Sequence, residues 1–494
     1  MKSLDPRLLD AASAEDVRGA VSAYLKEGLE AGREKARRRL EVDADGATVA
    51  RLYAAAADEM MVQLWRFASE VLFPSANSRL SLIAVGGYGR GVLAPYSDLD
   101  FLVVRQRVEA SERAAKVVEF VHYVLWDLGL KVGSSFRTVS ETVELAHKDM
   151  TVRTTLLEAR FLAGDETLGR ELLERFEKMV EAADPRPFIA AKMSERDVRL
   201  NKTGSVRYRV EPNVKDGKGG LRDLNTLFWI ALSLDPGHER GKAALDGLLS
   251  AREMRNFREA IGFLWKVRIH LHLAAGRAEE KLTFDYQPEI ARRMGWRGRG
   301  DELAVERFMR RYFKTAAEVG ALTRAVSAQL EARQQKKSEG LARGLSNLFG
   351  RRRAKLAFDG LKIEQGRLTV TDKRVFVHDP ARLLLLFVEA DRLDIDLHPD
   401  AFATVIRALP LVTPALRRDP RACEALLHIL AHGRRPYRIL SMMNETGLLG
   451  RFLPEWGRIV GQTQFNMYHA YTVDEHTLQA IGIINDIKQG KLEA

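Results

Sequence analysis

The sequence predicts an α+β fold in which one mixed α/β segment sits among largely helical ones. Residues 1 to about 75, and again 181 to about 335, repeat apolar residues at helical spacing, as in "TVARLYAAAADEMMVQLWRFASEVL" and "ELAVERFMRRYFKTAAEVGALTRAVSAQLEAR". Between them, over about 76–180, apolar runs at 80–85 and 99–104 flank a loop, a helical pattern covers 111–129, and "KVGSSFRT" and "LEARFLAG" read as short strands. The 494 residues allow about three domains at roughly 150 residues each, and 46% hydrophobic content is enough for a core in each.

Taken in order, "SAED" near the start offers a capping box for the first helix. The segment "RQQKKSEGLARGLSNLFGRRRAK" (333–355) interleaves basic clusters with Gly and Ser and reads as part of a solvated interdomain linker, about 336–360, in preference to a nucleic-acid patch. Beyond it, "LKIEQGRLTVTD" predicts a small hairpin, and 379–494 predicts helices separated by Pro and Gly breaks. In "VHDPARLLLLF", Asp379 is placed as an N-cap with Pro380 at the first helical position.

Composition excludes several classes. No apolar run approaches the ~20 residues of a membrane span, and the first 20 residues lack the apolar stretch of a secretion signal, so a soluble, cytoplasmic protein is expected. Cys423 is the only cysteine, which rules out an intramolecular disulfide, fits a reducing compartment and reads as a core residue. The net charge of +11 favours a polyanionic substrate or partner.

The chemistry concentrates in residues 83–104, "IAVGGYGRGVLAPYSDLDFLVV". A strand ends at Gly86 and Gly87, where absent Cβ atoms let the backbone approach a phosphate. Asp98 and Asp100 stand two apart in an extended segment, so both carboxylates leave one face with Cα atoms about 6.5 Å apart. Two such carboxylates repel unless a cation lies between them, and Mg²⁺, held by carboxylates and nucleotide phosphates, is the natural occupant, in a one- or two-ion site. A third carboxylate is sought in Glu158, which interrupts an apolar run, or in Asp149; the competing role for Glu158 is a structural acid paired with Arg160 or Arg153.

The block "GGYGRGVLAPYSDLD" resembles the nucleotidyltransferase signature of the bacterial PII uridylyltransferase/uridylyl-removing enzymes. The similarity continues in "RYRVEPNVKDGKGGLRDLNTLFW", "FLWKVRIHLHLAAGRAEEKLTFDYQ" and "NMYHAYTVDEHTL", and so runs from about residue 50 to the last residue. The resemblance implies a polymerase-beta-like nucleotidyltransferase domain (76–180), an associated helical domain (181–335) and a truncated HD-type domain (361–494). It implies transfer of UMP from UTP to a tyrosine of the trimeric nitrogen-signalling protein PII, with release of pyrophosphate. By motif match Asp98 and Asp100 would bind Mg²⁺, to which the residue reading adds Glu158 as the preferred third carboxylate, and Gly86 and Gly87 would bind the triphosphate with help from Arg90 and Ser97. The alternatives for Arg90 and Ser97 are a helix-surface arginine and a strand-entry cap. His476 would be the first ligand of an HD hydrolase site whose later His-Asp pair is absent, leaving His469 and Asp474 without partners, so no competent uridylyl-removing site is expected. The family's paired ACT domains are not expected within this chain. The last helix, about 473–488, is expected to lack cover for its apolar face. The other readings are a nucleotidyltransferase acting on RNA ends or another protein, and a PII-binding module without transfer.

In "EPNVKDGKGGLRD", Lys215, Lys218 and Arg222 surround Gly217, Gly219 and Gly220, a basic loop suited to cover a nucleotide or meet an acidic partner. The other reading is an interdomain turn with Asp223 paired internally. His270 and His272, read as lying with Arg268 in a helix over 263–287, do not share a face and are taken as structural.

Overall fold

The computed structural model describes residues 14–42, 44–74, 79–106, 112–203, 209–236, 243–338, 356–364, 366–372, 374–463 and 471–492. Two helices open it, α1 (Ala14–Glu41) and α2 (Gly46–Arg66), and α2 runs on into a wider π-helical turn over Phe67–Leu72. The Asp45 side chain accepts a hydrogen bond from the Thr48 N–H and fixes the start of α2, whose face from Val49 through Tyr53, Met60 and Trp65 is buried. Of the "SAED" box, Ser13 lies outside the described residues and the other three open α1.

A four-stranded mixed sheet follows, built from β1 (Leu80–Ala84), β2 (Leu99–Arg105), β3 (Val132–Thr138) and β4 (Arg160–Gly164) in the order β3-β2-β1-β4. β1 is antiparallel to β2 and β4, while β2 and β3 are parallel. All of β1 is buried, as its unbroken run "LSLIA" requires of a central strand. The single turn α3 (Gly86–Gly89) joins β1 to the loop before β2, and α4 (Glu112–Asp127) makes the crossover to β3. Then come α5 (Val139–Lys148), opened by a Thr138/Glu141 capping box, and α6 (Met150–Leu156). Glu158 stands in the turn ahead of β4, just outside the strand in which the sequence pattern put it.

The helical portion contains α7 (Glu166–Ala182), α8 (Pro185–Thr203), α9 (Leu221–Leu234), α10 (Ala243–Asp246), α11 (Ala251–Ala275), α12 (Gln287–Arg293) and α13 (Ala304–Ser338). α11 stops at Ala275, where Gly276 adopts φ +65, so the helix expected over 263–287 ends twelve residues early and Glu280 falls in the loop beyond it. One hydrophobic core runs without a break from Val17 to Leu330, so the opening helices, the sheet and α7–α13 pack as a continuous interior. Close approach makes this possible: a Cβ on Gly46 of α2 would lie 2.2 Å from the Lys266 nitrogen of α11.

A second core gathers residues 361–478. The hairpin β5 (Leu361–Glu364) and β6 (Arg367–Val370) forms where the sequence pattern places it. Behind it stand α14 (Val375–His378), α15 (Arg382–Leu393), α16 (Pro399–Ala408), α17 (Pro420–His432), α18 (Pro436–Thr446), α19 (Leu448–Phe452), α20 (Pro454–Ile459) and α21 (Val473–Lys488). Asp379 departs from its expected place: it ends α14, its carboxylate accepts from the Ala381 N–H and pairs with Arg421 at 3.0 Å, and α15 starts only at Arg382. Residues 379–382 make a tight turn first, with the Arg382 N–H on the Asp379 carbonyl, which delays the helix. Cys423 is half-buried against this core, its thiol on the Arg417 carbonyl. On α21, Leu478 is buried while Ile483 and Ile484 are exposed, as expected of its apolar face. The linker over 339–355 lies outside the described residues.

The two cores meet along α13. Glu445 of α18 accepts from Lys218 at 3.1 Å and from Arg324 at 2.9 Å, and the Arg324 guanidinium lies over the Phe402 ring. All three charges are largely buried, so the junction is sensitive to loss of its acid. Glu445→Ala should lower stability by about 2 kcal/mol, read by urea unfolding; an unchanged midpoint would mean that apolar packing alone joins the cores.

Candidate active site

The site begins where β1 runs out. Val85 is still extended and donates to the Asp100 carbonyl, which sets the end of β1 beside the mouth of β2. Gly86 then turns at φ +58, a left-handed conformation that favours glycine, and no hydrogen bond occupies the N–H groups of Gly86 and Gly87 among the described residues. Gly89 is required for a different reason, since a Cβ there would stand 2.3 Å from the Glu158 carbonyl.

Across this turn the chain returns through Ser97, whose hydroxyl accepts from the Ala94 N–H at 3.0 Å while its own N–H donates to the Ala94 carbonyl. Ser97 thus makes the strand-entry cap. Asp98 follows, exposed, and Asp100 sits half-buried as the second residue of β2. The Asp100 carboxylate is gripped by two glycines: a Cβ on Gly133, its partner in β3, would be 2.4 Å from Oδ1, and one on Gly86 would be 3.4 Å from Oδ2. Burial first, and then the like charge of Asp98, raise the Asp100 pKa, with Lys215 pulling the other way. Neither aspartate forms an ion pair among the described residues. An all-oxygen pair with uncompensated negative charge fits a divalent cation completed by phosphate oxygens.

Glu158 lines the same cavity, buried, but its carboxylate faces Arg90, with Arg90 Nε 3.1 Å from Oε1. Burial raises its pKa, and Arg90, the Trp229 indole and Arg222 oppose the rise. Its partner is neither of the arginines considered from the sequence: Arg160 pairs with Asp58 at 2.9 Å, and Arg153 lies over the Phe188 ring. Arg90 is not a helix-surface arginine either, being largely buried and hydrogen-bonded to Asn225 as well. Asp149 is spent on capping α6, accepting from the Thr151 and Val152 N–H groups, which holds its pKa below the usual carboxylate range. Among the described residues no group of three His, Cys, Asp or Glu side chains stands ready to hold a metal, and the contact that Glu158 makes in this arrangement is with Arg90.

The cavity of about 560 Å³ is closed by the helical portion, which contributes Lys192, Lys215, Arg222, Trp229, Trp265 and Arg268. The loop before α9 is tightly tied: the Asn213 carboxamide oxygen accepts from Lys215 and Asp216 N–H groups, and Gly219, at φ +80, lies where a Cβ would be 2.3 Å from the Ala316 carbonyl. Asp223 is internally paired, fully buried, accepting from Arg196, Arg199 and the Gly219 N–H. Lys218 turns away to Glu445, whereas Lys215 and Arg222 face the cavity. His270 and His272 are buried and structural; burial lowers the His270 pKa to about 4, and His272 contacts Glu280 at 3.6 Å and accepts from the Tyr96 N–H.

Gly133 was not singled out in the sequence. The signal was there, because a glycine inside the strand "KVGSS" marks a close approach, and the register puts Asp100 opposite it. Lys192, Trp229 and Trp265 carry no such mark and reach the cavity only through helix packing. Away from this site, His476 is exposed on α21, His469 lies outside the described residues, and Asp474 is a buried acceptor for the Asn444 carboxamide and the Gly461 N–H.

Family models match three stretches of the chain. They are described as a nucleotidyltransferase domain over 66–162, a GlnD PII-uridylyltransferase over 187–327 and the uridylyltransferase GlnD third domain over 361–452. The chain carries domains of the GlnD uridylyltransferase family. A bifunctional uridylyltransferase/uridylyl-removing enzyme of Caulobacter vibrioides is 51% identical over 473 residues, 95% of this chain and 50% of that protein. One of Phenylobacterium zucineum is 52% identical over 482 residues, 96% of this chain and 51% of that protein. The chain therefore spans about half the length of the curated relatives it matches. The family's third-domain model accounts for most of the second core, including the hairpin and α14–α18. No described helix is long and apolar enough to cross a membrane.

Two outcomes follow from the geometry. Gly133→Ala should push the Asp100 carboxylate aside and reduce nucleotidyl transfer by about a hundredfold with the melting temperature nearly unchanged; full activity would show that Asp100 has room to spare. Glu158→Gln should strand the Arg90 charge and cost about 3 kcal/mol in urea unfolding, whereas unchanged stability with a shifted Mg²⁺ requirement would make Glu158 a metal ligand.

Proposed function

We propose that this chain transfers UMP from UTP to a tyrosine hydroxyl of the PII protein and releases pyrophosphate. The observation that carries the reading is the Asp98–Asp100 pair, uncompensated and facing the Gly86–Gly87 turn in the main cavity. The substrate and acceptor come from the family model and from the relatives' name, uridylyltransferase.

In this reading Asp98 and Asp100 would hold Mg²⁺, as one ion or two, which would supply charge neutralisation for the triphosphate. The chain's own residues do the positioning. Gly86 and Gly87 offer backbone N–H groups to the phosphates, and Gly133 and Gly86 hold the Asp100 carboxylate in one place. Arg90, its charge matched by Glu158 and its guanidinium held by Asn225, forms part of the cavity wall, and Ser97 keeps Asp98 at the strand entry. The tyrosine oxygen bonds to the α-phosphorus, the bond from that phosphorus to the oxygen bridging to the β-phosphate breaks, pyrophosphate leaves, and the tyrosine proton is lost to solvent.

The test is transfer of label from α-³²P-UTP to purified PII with Mg²⁺, ATP and 2-oxoglutarate, comparing the chain with Asp98→Asn/Asp100→Asn. Label on PII from the parent chain and none from the variant is expected. Label on RNA instead would assign another acceptor, and PII capture without transfer would make the chain a binding module.

The same variant has a thermodynamic signature. A carboxyl whose pKa is raised by folding binds its proton more tightly in the folded chain, so its ionised form costs stability above that pKa and nothing below the unfolded value. At neutral pH in EDTA the double variant should therefore melt ~2 °C above the parent, and the gap should close as pH falls through about 4. Mg²⁺ should raise the melting temperature of the parent alone. A variant that melts lower in EDTA would mean that the pair is already compensated.

A further inference from the structure

Five cationic side chains line the main cavity, Arg90, Lys192, Lys215, Arg222 and Arg268, against five carboxylates, Asp98, Asp100, Glu158, Glu195 and Glu280. The formal charge balances, but the pairing is uneven. Glu158 takes Arg90, Glu195 takes Lys192, and Glu280 takes Arg268 through both carboxylate oxygens at 2.5–3.0 Å. What remains is Asp98 and Asp100, carried by the sheet, together with Lys215 and Arg222, carried by the loop before α9 and the first turn of α9.

Both cations keep donors in hand. Glu280 is committed to Arg268 and stands 3.9 Å from the Lys215 ammonium, beyond hydrogen-bonding distance. Arg222 spends only Nε on Asp216, at 3.1 Å, and its two terminal nitrogens make no hydrogen bond with the described residues. Burial, and then the like charge of Arg268, lower the Lys215 pKa, with Glu280 pulling the other way. The donors are also fixed in place: the Lys215 N–H is held by Asn213, the Arg222 N–H donates to the Lys215 carbonyl, and the guanidinium lies over the Trp229 ring.

We propose that Lys215 and Arg222, contributed by the helical portion, bind the β- and γ-phosphates of the incoming nucleoside triphosphate and then the departing pyrophosphate. This rests on the nucleotidyl-transfer reading above and adds to it a second wall. The aspartates and glycines hold the α-phosphate end against the sheet, and Lys215 and Arg222 receive the leaving group across the cavity. As the bond from the α-phosphorus to its bridging oxygen breaks, negative charge grows on pyrophosphate, where free N–H donors stabilise it most. Lys218, the third cation of the loop, lies outside the wall because Glu445 holds it.

Calorimetric binding of Mg·UTP, Mg·pyrophosphate and UMP to the full chain, to Lys215→Met and to Arg222→Gln tests the assignment. Each variant should bind UTP and pyrophosphate at least tenfold more weakly and UMP within twofold of the parent, and Lys215→Arg should recover most of the loss. If Arg222→Gln does not fold, the Lys215 pair decides alone, since its side chain carries no hydrogen bond among the described residues. A parent that binds UTP alongside variants that bind it equally well overturns the phosphate wall and leaves nucleotidyl transfer standing. Equal weakening for UMP overturns it too, by placing the residues elsewhere on the nucleotide. A parent that binds neither UTP nor pyrophosphate removes both readings.

Discussion

Everything in the site follows from holding two like charges close together without a partner. Asp98 and Asp100 repel, and Asp100 is half-buried, so the fold keeps an arrangement that its own electrostatics disfavour. It does so by shape. Gly86 and Gly133 leave a slot one carboxylate wide, the β2–β3 register brings Gly133 opposite Asp100, and the Val85 N–H on the Asp100 carbonyl fixes the other side. Such local cost survives when the surroundings over-determine it, and here a wholly buried central strand provides the anchor.

The other charges in the cavity obey the opposite rule. Glu158 with Arg90, Arg268 with Glu280, and Asp223 with Arg196 and Arg199 are buried ions matched by neighbours, the condition for tolerating charge away from water. That contrast separates the paired acids of the cavity from the unpaired ones, which sequence position does not. Glu158 and Asp100 lie in the same cavity and both have raised pKa values, yet one has a cation in contact and the other has none.

This is also where the sequence was legible and where it was not. The glycine turn, the Asp-x-Asp pair, the strand pattern and the C-terminal hairpin depend on local rules, namely backbone sterics and two-residue periodicity, and appear where the pattern puts them, save that β4 starts at Arg160 and leaves Glu158 outside. The partner of Glu158 does not, because Arg90 is brought to it by tertiary packing while the nearer arginines at 153 and 160 find Phe188 and Asp58. Asp379 failed for a local reason: a turn intervenes before α15. The helix with His270 and His272 was assigned past Gly276, although a glycine at that point is a common helix stop. The basic loop was legible as a loop, but which of its cations face the cavity depends on Glu445, more than two hundred residues away.

That last contact bears on how the portions of the molecule act together. The loop carrying Lys215 and Arg222 is held from three directions: by Asp223 through the Gly219 N–H, by close packing of Gly219 on α13, and by Lys218 on Glu445 of the second core. α13 carries Arg324 to the same glutamate. A displacement of the second core along α13 would therefore pull on the loop through an ion pair and a backbone contact that leaves no space for slippage. The sheet, whose interior is continuous with α13, would keep Asp98 and Asp100 in place. The two walls of the cavity thus answer to different parts of the chain, one to the sheet register and the other to the junction between the cores.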